Sequence, residues 1–61
     1  MGKRADALIE RFKAAYEATY GQTIFVCRSW PGFAIEDSGE LVFVGFPWLR
    51  RATERLEALG E

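Results

Sequence analysis

A run of β-forming residues that ends in proline most constrains how this chain can fold. The stretch Leu41-Val42-Phe43-Val44-Gly45-Phe46-Pro47-Trp48 begins with continuous apolar residues, which are typical of strands buried on both faces. Proline cannot continue a strand ladder, but it fits the first turn of a helix, where no N–H is needed. The stretch therefore predicts a central strand, Leu41 to Phe46, that feeds directly into a helix.

The two ends of the chain predict amphipathic helices. The first runs from about Lys3 to Tyr20, where apolar residues recur every three or four positions, and Gly21 follows as the expected terminator. The second opens at Pro47 and ends at Gly60. Its predicted inner stripe consists of Trp48, Leu49, Ala52, Leu56 and Leu59.

Two further strands are predicted between the helices, at about Thr23 to Ser29 and Phe33 to Glu36, because both segments are rich in β-formers. The residues Trp30-Pro31-Gly32-Phe33 predict a type II turn centred on Pro31 and Gly32, widened or bulged. The residues Asp37-Ser38-Gly39-Glu40 predict a tighter reversal with Gly39 at positive φ.

The resulting order is α-β-β-β-α in a single domain spanning residues 1–61. Two helices can cover only one face of so small a sheet. The sequence therefore predicts an α+β fold, a two-layer sandwich in which both helices lie on one face of a three-stranded antiparallel meander.

Composition limits the chemistry that such a chain can perform. Cys27 is the only cysteine among 61 residues and there is no histidine, so no intrachain disulfide can form and no zinc site is expected. The usual general base is missing, and a cysteine in the middle of a strand behaves as a small hydrophobe. We therefore expect no enzymatic activity and no cofactor.

Charge and hydropathy limit the partners and the location. The net charge is −1, which gives no general attraction to nucleic acid or to an anionic membrane. No stretch approaches the roughly 20 apolar residues of a membrane span, and no signal peptide is expected behind Met1-Gly2-Lys3-Arg4. A lone thiol suits a reducing compartment, so a cytoplasmic location is expected.

Alternation along the three strands separates two predicted sheet faces. One is expected to pack on the helices; the other is expected to be open, although it is largely apolar. A contiguous exposed apolar area of several hundred Å² usually marks an interface. The expected helix-side residues are Ile24, Val26, Phe33, Ile35, Val42, Val44 and Phe46, and the expected open-side residues are Phe25, Cys27, Ser29, Ala34, Glu36, Leu41 and Phe43.

These patterns predict a partner-binding surface that combines the open side, an exposed tryptophan at the Pro-Gly turn and the acidic reversal. Two alternatives remain open: a loop or helix end could cover this face, or the strand register could be slipped by one residue. The strand Thr23 to Ser29 could also accept a strand from another chain at an unpaired edge, or be paired on both sides. The candidate residues are Phe25, Trp30, Glu36, Asp37, Glu40, Leu41 and Phe43.

Basic residues near the start of the last helix form a second candidate site. Arg50, Arg51 and Arg55 oppose the helix dipole there, and no side-chain cap precedes Pro47. Free N–H groups with guanidinium groups predict an anion site for phosphate or carboxylates. Alternatively, Arg50 pairs with Glu54 and Arg51 reaches Glu54 or solvent, so that both are ordinary surface charges.

The element order resembles that of double-stranded RNA-binding domains, and Leu49-Arg50-Arg51-Ala52 lies where that family carries basic residues. The family's lysine-rich helix start and its Gly-Pro-x-His loop are absent from this chain. Element order alone does not carry function, so no family membership is inferred.

Three functions follow from these patterns. The favoured one is a non-catalytic inhibitor or adaptor that binds a larger protein or complex, of the kind that small phage proteins such as anti-CRISPR proteins represent in size and charge. The first alternative is a small nucleic-acid-binding module that uses the three arginines and Trp48. The second is a homodimeric structural unit whose sheet face serves self-association.

Overall fold

The computed structural model describes residues 3–37 and 39–60, with Lys3 and Asp37 described by their backbone alone, and shows the predicted order of elements. Three antiparallel strands form an open sheet in the order β1-β2-β3. The predicted α+β meander is confirmed. The elements are α1 (Lys3–Tyr20), β1 (Phe25–Ser29), β2 (Gly32–Asp37), β3 (Glu40–Val44) and α2 (Phe46–Leu59).

The first helix has the predicted bounds. Its last turn closes with the Gly21 N–H donating to the Glu17 carbonyl at 2.8 Å, and Gly21 has φ of 70°, a conformation that favours glycine. β1 begins two residues later than predicted, at Phe25. At the second reversal Gly39 has φ of 83°, as expected, while Ser38 lies outside the described residues.

The first reversal differs from the prediction. Ser29 pairs with Gly32, so the turn consists of Trp30 and Pro31 alone, joined by a cis peptide bond. A cis proline at the third position defines a type VI turn, not the type II turn expected. Gly32 instead belongs to β2, where a Cβ atom would overlap the backbone carbonyl oxygen of Val44, so only glycine fits.

β3 is not the central strand that its apolar run predicts. It pairs with β2 alone, and β2 is the strand paired on both sides. In the described chain α1 packs on β1 and α2 on β2, so neither helix covers β3 closely. Leu41 and Phe43 are therefore exposed on one face of the strand and Val42 on the other, because the third strand of a meander lies at its edge, whereas Val44 is half-buried against the core.

The core lies between the helices and one face of the sheet. The strand residues buried there are Val26, Phe33 and Ile35, all of which the alternation assigned to the helix side. Phe33 is the largest fully buried side chain, and its ring meets that of Phe46 edge-on at a centroid distance of 4.9 Å. The helices contribute Ala5, Leu8, Phe12, Ala15, Leu49 and Leu56.

The inner stripe of α2 differs from the predicted one at three positions. Leu49 and Leu56 are buried as expected, but Trp48 and Leu59 are largely exposed. Thr53 is fully buried instead, and its hydroxyl donates to the Leu49 carbonyl at 2.8 Å. That bond satisfies the hydroxyl, so threonine is tolerated in the core.

A salt bridge at the surface joins the two helices. The Arg11 guanidinium donates two hydrogen bonds to the Glu57 carboxylate, at 2.7 and 3.2 Å. The hydrogen bond from Arg11 lowers the pKa of Glu57, so its contribution is present at neutral pH and is lost as the solution is acidified through that lowered pKa. Both side chains are about half exposed, so solvent screens the pair strongly.

Candidate protein-binding face

The sheet face that turns away from the helices carries most of the candidate residues. Strand register places Phe25, Glu36 and Leu41 side by side in one row across the sheet. The next row consists of Cys27, Ala34 and Phe43. We call these six residues the open face.

No slip of register occurs, and the predicted division into two faces is confirmed for the residues of the three strands. Ile24 and Phe46 were predicted to be strand residues, but Ile24 precedes β1 and Phe46 is the first residue of α2. β3 ends at Val44 and not at Phe46, because the Leu49 N–H donates to the Gly45 carbonyl and the helix begins there.

The open face has the form of a shallow apolar channel along β2. Its floor is Ala34, which is 3% exposed although it lies on the uncovered side. Its walls stand on the outer strands, where Phe43 is 68% exposed and Phe25 and Leu41 are more than half exposed. Cys27 is half-buried beside the floor. The side chain of Ala34 is buried because its larger neighbours in the same row, Cys27 and Phe43, shield it from solvent.

A second apolar surface lies at the first reversal and shares Phe43 with the open face. Trp30 is 89% exposed, as the sequence predicted, and it lines a depression of about 460 Å³ together with Phe43 and Gly32. This depression is apolar in character, because Pro31, Phe33 and Val44 also line it. Trp30 and Phe43, far apart in sequence, thus belong to one surface.

The acidic residues do not form a single cluster on this face. Glu36 lies on the open face between Phe25 and Leu41, and it is the one charged member of the six. Glu40 pairs with Asp37 one position further on, so alternation directs it to the opposite face. The side chain of Asp37 lies outside the described residues.

The apolar area exposed here is large for a chain of this size. The exposed parts of its four largest apolar side chains amount to about 500 Å², if a whole aromatic side chain contributes roughly 150–250 Å². Patches of that size on single-domain proteins are often functional. Within the described chain no loop or helix end covers them, so that alternative is not observed. The four are Phe25, Trp30, Leu41 and Phe43.

The three arginines of α2 lie on two different sides of the helix. Arg50 borders Phe46 and Pro47, whereas Arg51 and Arg55 border Trp48. Among the described side chains, those of residues 4–36 and 39–60, the only salt bridge is Arg11–Glu57. The alternative pairing of Arg50 with Glu54 is therefore not observed, and Arg51 is exposed to solvent. The helix start lacks a side-chain cap at Gly45, as expected.

Two exposed apolar residues on the helix side of the sheet, one on β3 and one on α2, were predicted to be buried. Val42 is 43% exposed and Trp48 is 52% exposed. They border an apolar crevice of about 210 Å³ that reaches Phe12 and Tyr16 of α1. The position of β3 as the last strand of a meander was the signal that could have identified this exposure, because such a strand has a free edge.

Neither a membrane-spanning helix nor a metal-binding cluster occurs among the described residues. No helix is long and apolar enough to cross a membrane. No three cysteine, aspartate or glutamate side chains lie close enough together to hold a metal ion in this part of the chain.

Comparison of the chain with protein-family models, with curated proteins and with solved structures finds no significant match. The resemblance in element order to double-stranded RNA-binding domains therefore gains no support from sequence or fold comparison. Function has to be argued from the surface of the molecule.

Proposed function

We propose that this protein is a small non-catalytic binding domain that attaches to a larger protein through its open face. The observation that carries the proposal is the apolar channel of Phe25, Leu41 and Phe43 around Ala34, which is uncovered in the described chain. Exposing such a surface to water is unfavourable, and burying it against a partner removes that cost. A lone thiol suits a reducing compartment, so we place the binding in the cytoplasm.

The open face also indicates the chemistry of its partner. A complementary surface would be apolar at its centre, with an aliphatic or aromatic side chain over Ala34. It would carry a lysine, an arginine or a backbone N–H near Glu36, because a buried carboxylate without a partner is costly. Trp30, which lines the neighbouring depression together with Phe43, has the residue type and exposure of an interaction hot spot.

Inhibition or adaptor activity is the role we favour for such a domain. A chain of 61 residues with one apolar face can block or bridge a larger complex by occupying part of its surface. Its net charge of −1 favours a protein target over direct nucleic-acid binding. Anti-CRISPR proteins, which block nucleic-acid-handling complexes, represent the size and charge class that we propose.

A parallel capture experiment tests this proposal. Three tagged baits are incubated with an extract of the source cells: the wild-type protein, Phe43→Asp on the open face, and Leu59→Asp on α2. Leu59 is also largely exposed but lies off the open face, so it controls for the loss of an exposed apolar residue. A partner retained by the wild-type and Leu59→Asp baits but lost with Phe43→Asp supports the proposal; retention by all three contradicts it.

A second candidate function rests on the side of α2 that carries Trp48, Arg51 and Arg55. These three side chains line a cleft of about 220 Å³, and in the described chain neither arginine has an acidic partner. An exposed aromatic ring beside guanidinium groups can stack a base and bind phosphate. We propose single-stranded nucleic acid as the ligand of this cleft if the open face proves to be unoccupied.

Replacing Arg51 and Arg55 together with glutamine is expected to weaken binding to a single-stranded oligonucleotide. Each arginine that contacts phosphate releases counterions, so the slope of log affinity against log salt should fall by about 1.4 for two contacts. Fluorescence titration at several salt concentrations measures this slope. The control, Arg4→Gln with Arg50→Gln, makes the same charge change elsewhere and should alter the slope less. Equal effects of the two double variants would contradict the site.

A further inference from the structure

β3 lacks the features that normally prevent an edge strand from pairing with another chain. Proteins protect such edges with proline, charged side chains, bulges or a covering helix. Residues 41–44 contain neither proline nor charge, the pairing with β2 is regular, and neither helix packs closely over the strand. Leu41 and Phe43 are exposed on one face of the strand and Val42 on the other. Both faces and the free edge are thus available.

The other edge of the sheet is better protected. Val26, the second residue of β1, is buried on the side where α1 packs, and Arg28 brings an exposed positive charge close to the end of the strand. β1 therefore exposes less apolar surface on its helix side than β3 does. The asymmetry singles out β3 as the edge suited to pairing.

We propose that β3 pairs antiparallel with β3 of a second copy of the chain, forming a six-stranded sheet across a two-fold axis. When the two five-residue strands overlap fully, Val42 of one copy faces Val42 of the other. Leu41 then faces Phe43 twice, on the open face. Aliphatic–aromatic and β-branched cross-strand pairs are favourable combinations, so the strand is complementary to itself in this register.

The charges on β3 allow a second copy of the chain to bind at its free edge. Glu40 is the only charged residue of β3, and in this register it faces Val44. The two Glu40 residues then lie about 14 Å apart along the strands, at roughly 3.4 Å per residue. That separation exceeds the Debye length of about 8 Å at physiological salt, so their repulsion is screened.

The buried area sets the expected strength of the dimer. The free edge, the exposed parts of Val42 and Trp48, and only the sides of Leu41 and Phe43 that face the second copy would be buried, so the total lies below the roughly 1,000 Å² of a stable specific interface. We therefore expect a reversible dimer that dissociates on dilution. Pairing would also join two open faces into one continuous surface, but it does not depend on the binding function proposed above.

Solution mass as a function of concentration tests this arrangement. Light scattering after size exclusion should show the wild-type mass rising toward twice that of the monomer. Val42→Lys places two ammonium groups opposite each other at the axis and should weaken the dimer about tenfold or more. Val42→Glu should do the same, and an equimolar mixture of the two variants should recover a heterodimer, because the facing charges are then opposite. Phe25→Asp, on the far edge of the open face, should leave the dimer intact.

A cross-linking measurement tests the same strand pairing without the charged variants, which could misfold. In a Cys27→Ser background, Val42→Cys is close in size to the native residue and should form a disulfide-linked dimer on mild oxidation. Facing strand residues lie about 4.5–5.5 Å apart between Cα atoms, within the range of a disulfide. Leu59→Cys in the same background, also exposed, should cross-link more slowly. A monomer at every concentration, a dimer lost in Phe25→Asp but kept in Val42→Lys, or equal cross-linking at both positions would overturn the proposal.

Discussion

Phe43→Asp is expected to weaken binding of the protein partner by about 100-fold or more while the domain remains folded. A central aromatic side chain of an interface contributes about 2–4 kcal/mol, and 2.7 kcal/mol corresponds to about 100-fold in affinity. The aspartate adds a carboxylate that would be buried without a partner in the complex. In the free protein the side chain is already 68% exposed, so its replacement removes little packing.

Isothermal titration with the purified partner measures this loss, and the melting temperature of each variant reports on the fold. Leu59→Asp provides the comparison, because it changes an equally exposed apolar residue away from the open face. It should bind within about twofold of the wild-type protein, as expected for a position outside the interface. Unchanged affinity of Phe43→Asp would remove the open face from the binding surface, and an unfolded variant would place Phe43 in the core.

Phe33→Ala is expected to lower the free energy of unfolding by about 3–5 kcal/mol, the largest loss that we predict for a single substitution in this chain. Phe33 is 1% exposed at the centre of β2 and contacts the ring of Phe46. Truncating a buried phenylalanine costs about 3–5 kcal/mol, because transfer energy is lost and a cavity remains. A chain of this length has a total free energy of unfolding of about 3–9 kcal/mol. This one substitution would therefore remove a large fraction of the free energy of unfolding.

Urea unfolding followed by far-ultraviolet circular dichroism measures this change. Phe46→Ala is the matched comparison: it removes the other ring of the same aromatic pair, but Phe46 is 42% exposed and should cost less than half as much. A loss below about 1 kcal/mol for Phe33→Ala would show that the helices do not pack on this face of the sheet.

Local patterns in the sequence predicted the elements and the division of the sheet. The period of α1 and the glycine that follows it identified the helix to the residue. Alternation then separated Val26, Phe33 and Ile35 on the buried side from Phe25 and Phe43 on the open side, and the register confirms this division. Such patterns report directly on which side of an element is apolar.

The sequence did not correctly predict the place of β3 in the sheet or all of the buried positions of α2. A continuous apolar run indicated a central strand, yet β3 is an edge, because a strand pattern carries no information about how many neighbours pair with it. Likewise Trp48 was predicted on the inner stripe of α2 but is exposed, and Thr53, which was not on that stripe, is fully buried. The direction in which a helix crosses the sheet decides which neighbouring position is buried, and that direction is set by tertiary packing.

The sequence predicted correctly which apolar residues share a surface, but not which charged residues lie together. Phe25, Leu41 and Phe43 share a surface because they obey strand alternation. Glu36 and Glu40 were grouped by their closeness in sequence, but they fall on opposite faces of a hairpin. Arg50 separates from the other two arginines for a similar reason, since adjacent positions on a helix point about 100° apart.

Protection of Cys27 by the bound partner is the measurement that tests the open face most directly. Cys27 is the only thiol, it lies half-buried on the open face, and it is on the strand farthest from β3, so the proposed strand pairing leaves it uncovered. The alkylation rate of the thiol is followed by mass spectrometry with and without a saturating amount of partner. We predict a rate at least about tenfold lower in the complex, because binding buries the row in which Cys27 lies. An unchanged rate in a saturated complex would contradict the account and place the binding surface elsewhere.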